Sequence, residues 1–292
     1  MKIPILKIKQ FQESEPVNEF YVNTFSNHIA LNKSLINRPH KHNFYLCVVF
    51  TEGSGTHEVD FNSYKISPGK VFFLRPGQTH FWTFDTPPEG YILFHSQEFY
   101  ELYFLEHKLN SFPFFSSFLN SPVLEVSQTK THTLSAQFHD IYEEYVQDNT
   151  FRTLKMVSLL NIIYINLTRE YTTNIEVEEH FSSNYLMLFE KLEVLINKHF
   201  QVEKFPKFYA NQLHITTKHL NRVVKGTINK TTSDLISERI ILEAKRLIVH
   251  SDDSLTTIAN KLDFSDYSYF SKLFKAKTTL TPMQFRKKYI HK

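Results

Sequence analysis

The chain is 292 residues long, 41% apolar and 15% aromatic, which is enough for two domains with buried cores. Its single cysteine, Cys47, excludes an internal disulfide framework and any CxxC-type zinc site, and points to a reducing compartment. The net charge of +3 hides a division near residue 180: residues 181–292 hold 19 Lys and Arg against 10 Asp and Glu, a balance of +9, and the rest hold 14 against 20, a balance of −6.

The first residues, MKIPILKIKQFQESEP, contain no signal-type apolar block. No run approaches the roughly 18 apolar residues of a membrane span, so a cytoplasmic location and no membrane partner are expected. From about 20 to 100, runs such as NFYLCVVF, THEVDF, KVFFL, THFWTF and YILFHS alternate with the turn signals TEGSG, NSYKISPG, RPGQ and DTPPEG. A strand roughly every 8 to 12 residues predicts an antiparallel sandwich or barrel. Five of the six glycines lie between Gly53 and Gly90, so turn-rich strands come first and helices afterwards.

The period becomes helical over 129–149 and 151–171, with Leu154, Val157, Leu160 and Ile163 three apart. Helices apolar over so much of their girth need cover, from the barrel or from a second copy, and a homodimer through these two helices is expected. TTNIEVEEHFSS has no clear period, and 173–183 is the expected linker. It would join a sensor and dimerisation domain, 1–172, to a helical domain, 184–292.

The basic half repeats itself. Ala210, Leu213, Ile215, Leu220, Val224 and Lys225 align with Ala259, Leu262, Phe264, Phe270, Phe274 and Lys275, at an offset of 49 that becomes 50. Each copy predicts a short helix, a break and a second helix, with Thr216 or Thr217, and Ser265 or Asp266, as N-caps. That is a helix-turn-helix, whose second helix can lie in a major groove. With Leu220, Val223 and Val224 turned inwards, Lys218, Asn221, Arg222 and Lys225 face out. With Phe270, Leu273 and Phe274 turned inwards, Tyr267, Ser268, Ser271, Lys272 and Lys275 face out. Arg or Lys suits guanine, Asn suits adenine, and hydroxyls suit base or phosphate. An ordinary solvated face would not recur at the same place in both copies. Between them, 231–250 predicts a continuous helix about 30 Å long, close to the roughly 34 Å of one turn of B-DNA.

These residues resemble the DNA-binding domain of the AraC/XylS family of transcription regulators. The resemblance spans 184–291 and is carried by ERIILEAKRLIVHSDDSLTTIANKLDFSDYSYFSKLFKAKTTLTPMQFRKKY. It implies that Lys218, Asn221 and Arg222 read bases in the first unit, and Tyr267, Ser268, Ser271 and Lys272 in the second. Asn229, Asp263 and Thr279 stand where the family has glycine, Thr232 replaces a proline and Val224 a phenylalanine. NRPHKHNFYLCVVFTEGSGTHEVDFNSYKISPGKVFFLRPGQTHFWTF is similar to the cupin-like sensor domain that the family often carries. The expected fold class is therefore α+β: an N-terminal antiparallel cupin-like barrel, two following helices, then an all-α domain of two helix-turn-helix motifs.

In a cupin, His40, His42 and His80 would suggest a metal, but positions 45–48 read YLCV, without the carboxylate that usually completes such a site. No metal, no cofactor and no catalytic residue are expected, although His57 and Glu58 on the next strand remain open as substitutes. Arg38, His40, His42, His80, Trp82 and Tyr91 are the candidate effector-binding residues, an Arg to pair with an anionic or hydroxylated ligand and aromatics to stack on an apolar face. Cys47, within an apolar strand, reads as an inert buried thiol. The resulting expectation is a transcription regulator that binds promoter DNA under control of a small effector, with RNA polymerase as a further partner. The alternatives are a cupin metalloenzyme (isomerase or dioxygenase) with a helical interaction domain, and a sequence-blind architectural DNA binder.

Overall fold

In a computed structural model of the protein, residues 3–12, 17, 19–36, 38–104, 108–117, 120–173 and 183–290 are described. The chain divides into two compact units, Pro4–Glu176 and Val177–Lys292 with Met1–Ile3. The expected linker falls almost wholly outside the described residues.

The first unit contains the strands β1 (Ile5–Leu6), β2 (Phe20–Thr24), β3 (His40–His42), β4 (Tyr45–Val59), β5 (Asn62–Ile66), β6 (Lys70–Leu74), β7 (Thr79–His95) and β8 (Val123–Glu125). They form one sheet in the order β1-β3-β7-β4-β6-β8, with β2 also on β7 and β5 also on β4. The β1–β3 pair is parallel and the others are antiparallel. The sheet is open rather than a closed barrel, a correction to the expected closure, although the cupin-like arrangement stands.

Three segments expected as turns lie in strands: NSYKISPG supplies β5 up to Ile66 and turns only over 67–69. TEGSG and DTPPEG lie within β4 and β7, which run for 15 and 17 residues and pair along most of their length. The register shifts between Phe50 and Gly55 absorb the irregularity as bulges. The glycines serve these bulges: Gly90 has φ +140°, and a Cβ there would stand 1.9 Å from the Val49 carbonyl oxygen. One consequence is a change of parity along β4. Leu46, Val48 and Phe50 share a face with Ile92 and Phe94, and beyond the bulge the odd-numbered His57 and Val59 join that same face, opposite Trp82 and His80.

This face packs on α1 (Phe25–Ile36), a helix the strand-like reading of residues 20–100 missed because its inner stripe includes His28 and Asn32. The other face, with Cys47, Val49, Val71, Phe73 and Leu93, carries α4 (Gln128–Val146) and α5 (Arg152–Thr173), after the short helices α2 (Gln97–Glu101) and α3 (Pro113–Ser116). Helix α5 buries Met156, Val157, Leu160, Ile163, Tyr164 and Leu167 against the sheet. Leu154, expected on that stripe, is 50% exposed, and Phe151, Ile162 and Ile165 are exposed with it. Burial pushes the Cys47 thiol pKa well up, in keeping with an inert side chain.

The second unit consists of α6 (Ser183–His199), α7 (Pro206–Gln212), α8 (Thr217–Ile228), α9 (Thr232–His250), α10 (Leu255–Lys261), α11 (Tyr267–Thr278) and α12 (Pro282–Ile290). Helix α9 is the shared strut: α7 and α8 pack on it, and so do α10, α11 and α12. Its 19 residues make it about 28 Å long. Arg286 of α12 locks the far end, donating from Nε to the Ile248 carbonyl at 3.0 Å and from Nη2 to the Asp253 carbonyl at 2.8 Å. Among the described residues, no helix of either unit is long and apolar enough to cross a membrane.

Candidate functional site

The two α7–α8 and α10–α11 pairs are built alike. The Ile215 N–H donates to the Ala210 carbonyl at 3.0 Å, and 49 residues on Phe264 does the same to Ala259 at 2.9 Å. Thr216 caps α8 by accepting from the His219 N–H, and Asp266 caps α11 by accepting from Ser268 and Tyr269. Each pair also needs two left-handed residues: His214 and Asn229 (φ 54° and 51°) in the first, Asp263 and Thr279 (φ 55° and 65°) in the second. The residues standing in place of glycine thus adopt the glycine backbone. Leu220, Val223, Val224, Phe270 and Phe274 are fully buried. Lys218, Arg222, Lys225, Ser268, Lys272 and Lys275 are exposed, and Tyr267 and Ser271 are half-buried.

The cations on these outer arcs differ from those around them. Lys230, Lys261 and Lys277 are paired with Glu238, Asp253 and Asp234 at 2.6 to 2.8 Å. Lys218, Arg222, Lys225, Lys272 and Lys275 have no ion-pair partner among the described residues. Their charges are left for an external anion, as a phosphate backbone requires. Asn221 behaves differently from the expected reader of adenine. It is half-buried, and its Oδ1 accepts from the Thr232 N–H at 3.0 Å, so it holds the start of the strut. Thr232, without the donor-free nitrogen of the family's proline, supplies that N–H.

In the first unit, His28, His40, His42, His57 and His80 are buried together. His57 Nε2 and His80 Nδ1 are 3.0 Å apart, and the His40 and Trp82 rings lie 4.4 and 4.8 Å from the His80 ring. Desolvation lowers the pKa of every one of them, to about 3 for His28 and His42, so all are neutral near pH 7. His40 and His42 donate from Nδ1 to the carbonyls of Arg38 and Phe44, which leaves each Nε2 as a bare acceptor. The Nε2 atoms of His28, His42 and His80, Nδ1 of His57 and Nε1 of Trp82 are buried without a hydrogen-bond partner. This arrangement can exchange hydrogen bonds with a neutral polar group; it offers no cation to an anionic one.

Two family matches decide the matter. Residues 33–161 match the AraC-like ligand binding domain, and residues 209–288 match a helix-turn-helix domain; together they span more than half of the chain. The chain belongs to the AraC family. It is a ligand-responsive, DNA-binding transcription regulator and not an enzyme. Similar proteins include the HTH-type transcriptional activator RhaS of Escherichia fergusonii, 24% identical over 85% of this chain and 86% of that one. The RhaS of Yersinia pestis is 24% identical over 85% and 88%. Among solved structures, apo ToxT from Vibrio cholerae is 14% identical over 94% of this chain and 98% of its own, with a TM-score of 0.42.

In this AraC-family chain the six effector candidates do not converge. His40, His42, His80 and Trp82 come together, joined by His57 and by His28, which the missed helix α1 contributes. Tyr91 lies on the opposite face of the sheet, its hydroxyl 3.1 Å from His139 Nδ1 of α4. Arg38 is exposed, and its carbonyl accepts from His40 Nδ1. Glu58, one residue from His57, faces away by strand alternation. Among the described residues, no group of three or more His, Cys, Asp or Glu is placed to hold a metal ion, so the cupin metalloenzyme alternative gains nothing from this cluster.

Proposed function

We propose that this regulator reads a bipartite operator with α8 and α11, through Lys218, Arg222 and Lys225 and through Tyr267, Ser268, Ser271, Lys272 and Lys275. The observation that carries this reading is the twofold recurrence of exposed cations lacking partners on helices held by matching caps and left-handed turns. Asn221 acts in it mainly by fixing α8 to the strut. Fluorescence anisotropy on a selected operator tests the assignment. Arg222→Ala and Lys272→Ala should each cost about 1 to 3 kcal/mol and relax preference at separate positions of the site. Undiminished affinity and selectivity in both would refute it. Binding should also weaken steeply with salt, because several phosphate contacts release counterions.

The effector belongs, in this reading, to the histidine face of the 1–172 sensor domain, at His40, His42, His57, His80 and Trp82. Neutral imidazoles with free acceptors favour a neutral hydroxylated ligand over a carboxylate. The domain acts through 173–183 on the 184–292 domain by binding two arrangements with different affinity. The exposed apolar residues Leu154, Ile162 and Ile165 of α5, with Phe151 just before it, support homodimerisation through α4 and α5. Activation through contact with RNA polymerase, in the cytoplasm, completes the proposal; the activator name of the RhaS relatives supports the regulatory sense.

A further inference from the structure

Both helix-turn-helix pairs are fastened to the first turn of α9, each by a different group. Asn221 of α8 accepts from the Thr232 N–H at 3.0 Å. Two residues on, Asp234 accepts at Oδ1 from Lys277 Nζ, in the last turn of α11, at 2.6 Å. Asp234 Oδ2 meanwhile accepts from the hydroxyl of Thr231, the N-cap of α9, at 2.7 Å.

The duplication supplies an internal comparison. Fifty residues further along, Thr281 and Gln284 stand at the start of α12 as Thr231 and Asp234 stand at the start of α9. The Thr281 N–H and hydroxyl donate to Gln284 Oε1 at 2.9 and 3.0 Å, and the Gln284 N–H donates to Thr281 Oγ1 at 3.2 Å. The Gln284 amide has one acceptor oxygen, and its own cap uses it. A carboxylate has two, so Asp234 serves its cap with one and α11 with the other. Lys277 also departs from the repeat. Its counterpart in α8 is Thr227, whose hydroxyl bonds back to the Val223 carbonyl at 2.9 Å. The pair is therefore no by-product of the duplication. The bonds from Lys277 and Thr231 hold the Asp234 carboxyl below the usual carboxylate range.

The two side chains are 28% and 44% exposed, and a pair so open to water adds little to folding. Its place matters more. Arg286 fastens the second head at the far end of α9, on the Ile248 and Asp253 carbonyls. Lys277 adds an anchor at the near end, which opposes a swing of α11 about the first. We infer that the Lys277–Asp234 pair is a positioning device that sets the angle between α8 and α11, and with it the half-site spacing that the protein accepts. The inference rests on the bipartite reading by α8 and α11. One extra base pair turns the second half-site by about 35° and moves it by about 3.4 Å, so fixed heads discriminate between spacings that loose heads tolerate.

Fluorescence anisotropy of the full chain tests this on the selected operator and on versions with one base pair inserted or removed between the half-sites. The unaltered chain should bind the changed spacings about tenfold or more weakly. Lys277→Met and Asp234→Asn should each reduce that penalty to about threefold or less, and Lys277→Arg should keep it. Thermal melts of each variant check that the fold is retained. A penalty that persists in both Lys277→Met and Asp234→Asn overturns the inference and leaves the bipartite reading standing. An unaltered chain indifferent to spacing overturns both. A salt dependence that falls in Lys277→Met and not in Asp234→Asn makes Lys277 a phosphate contact, and that too overturns the inference.

Discussion

The two units treat their chemically active side chains in opposite ways. The sensor unit buries six histidines among Phe, Trp and Tyr rings, five of them together and His95 beside Tyr164, and burial keeps them uncharged. The DNA-binding unit buries Phe and Val and sets Lys218, Arg222, Lys225, Lys272 and Lys275 at the surface. One surface is suited to discriminate by hydrogen bonds and shape, the other attracts by charge. The histidine side of the contrast follows from desolvation, which penalises the ionised form of a buried base.

Acid should break this symmetry on one side only. His28 and His42 titrate at about 3 in the fold against 6.5 when unfolded. A depressed folded value means that the stability is present above 6.5 and is lost as the pH falls towards 3, because the unfolded chain takes up the protons first. At pH 5 each of the two costs about 2 kcal/mol, and the other three of the cluster and His95 add to this. Thermal melts at pH 7.5 and 5 should show the sensor transition falling much further than the helical one. Parallel shifts of both would contradict the buried neutral cluster.

The next effect sharpens the likeness of the two reading heads. Phe274→Ala should destabilise the helical unit by about 3 to 5 kcal/mol in urea unfolding, since the ring is wholly buried against Phe270 and against Phe285 of α12. A smaller cost than that of Val224→Ala, its counterpart in the first head, would show that the duplicated cores are not equivalent. The smallest effect has the opposite sign. Thr279 is β-branched and held at φ 65°, so Thr279→Gly should stabilise by about 1 kcal/mol, and Asn229→Gly by less, because asparagine tolerates that backbone better. A loss of stability in Thr279→Gly would mean that its side-chain bond to the Thr278 carbonyl outweighs the strain.

Legibility differed between the units for the same local reasons. In the helical half, caps at Thr216 and Asp266, the apolar stripes and the duplicated offset are all contained within short windows, so helices and outward faces could be placed from the residues alone. Asn221 was the exception: its partner, the Thr232 N–H, lies eleven residues away across a turn. In the sheet, TEGSG and DTPPEG carry the residues of turns but lie opposite each other as bulges, and nothing local distinguishes the two. That bulge reverses the parity of β4 and so turns His57 inwards and Glu58 outwards. Tyr91 was grouped with Trp82 for its chemistry, though strand alternation sends it to the other face.

The amino-acid order alone thus determined the division of charge, the two reading helices with their caps, and the family, because helical periodicity and capping act over a few residues. Tertiary structure decided which histidines meet, that Tyr91 stays apart from them, and that Glu144 keeps an oxygen without a donor. Those outcomes depend on sheet register and on α1, α4 and α5 packing over it, where residues far apart in the chain meet, and for such meetings no short stretch of sequence carries the instruction.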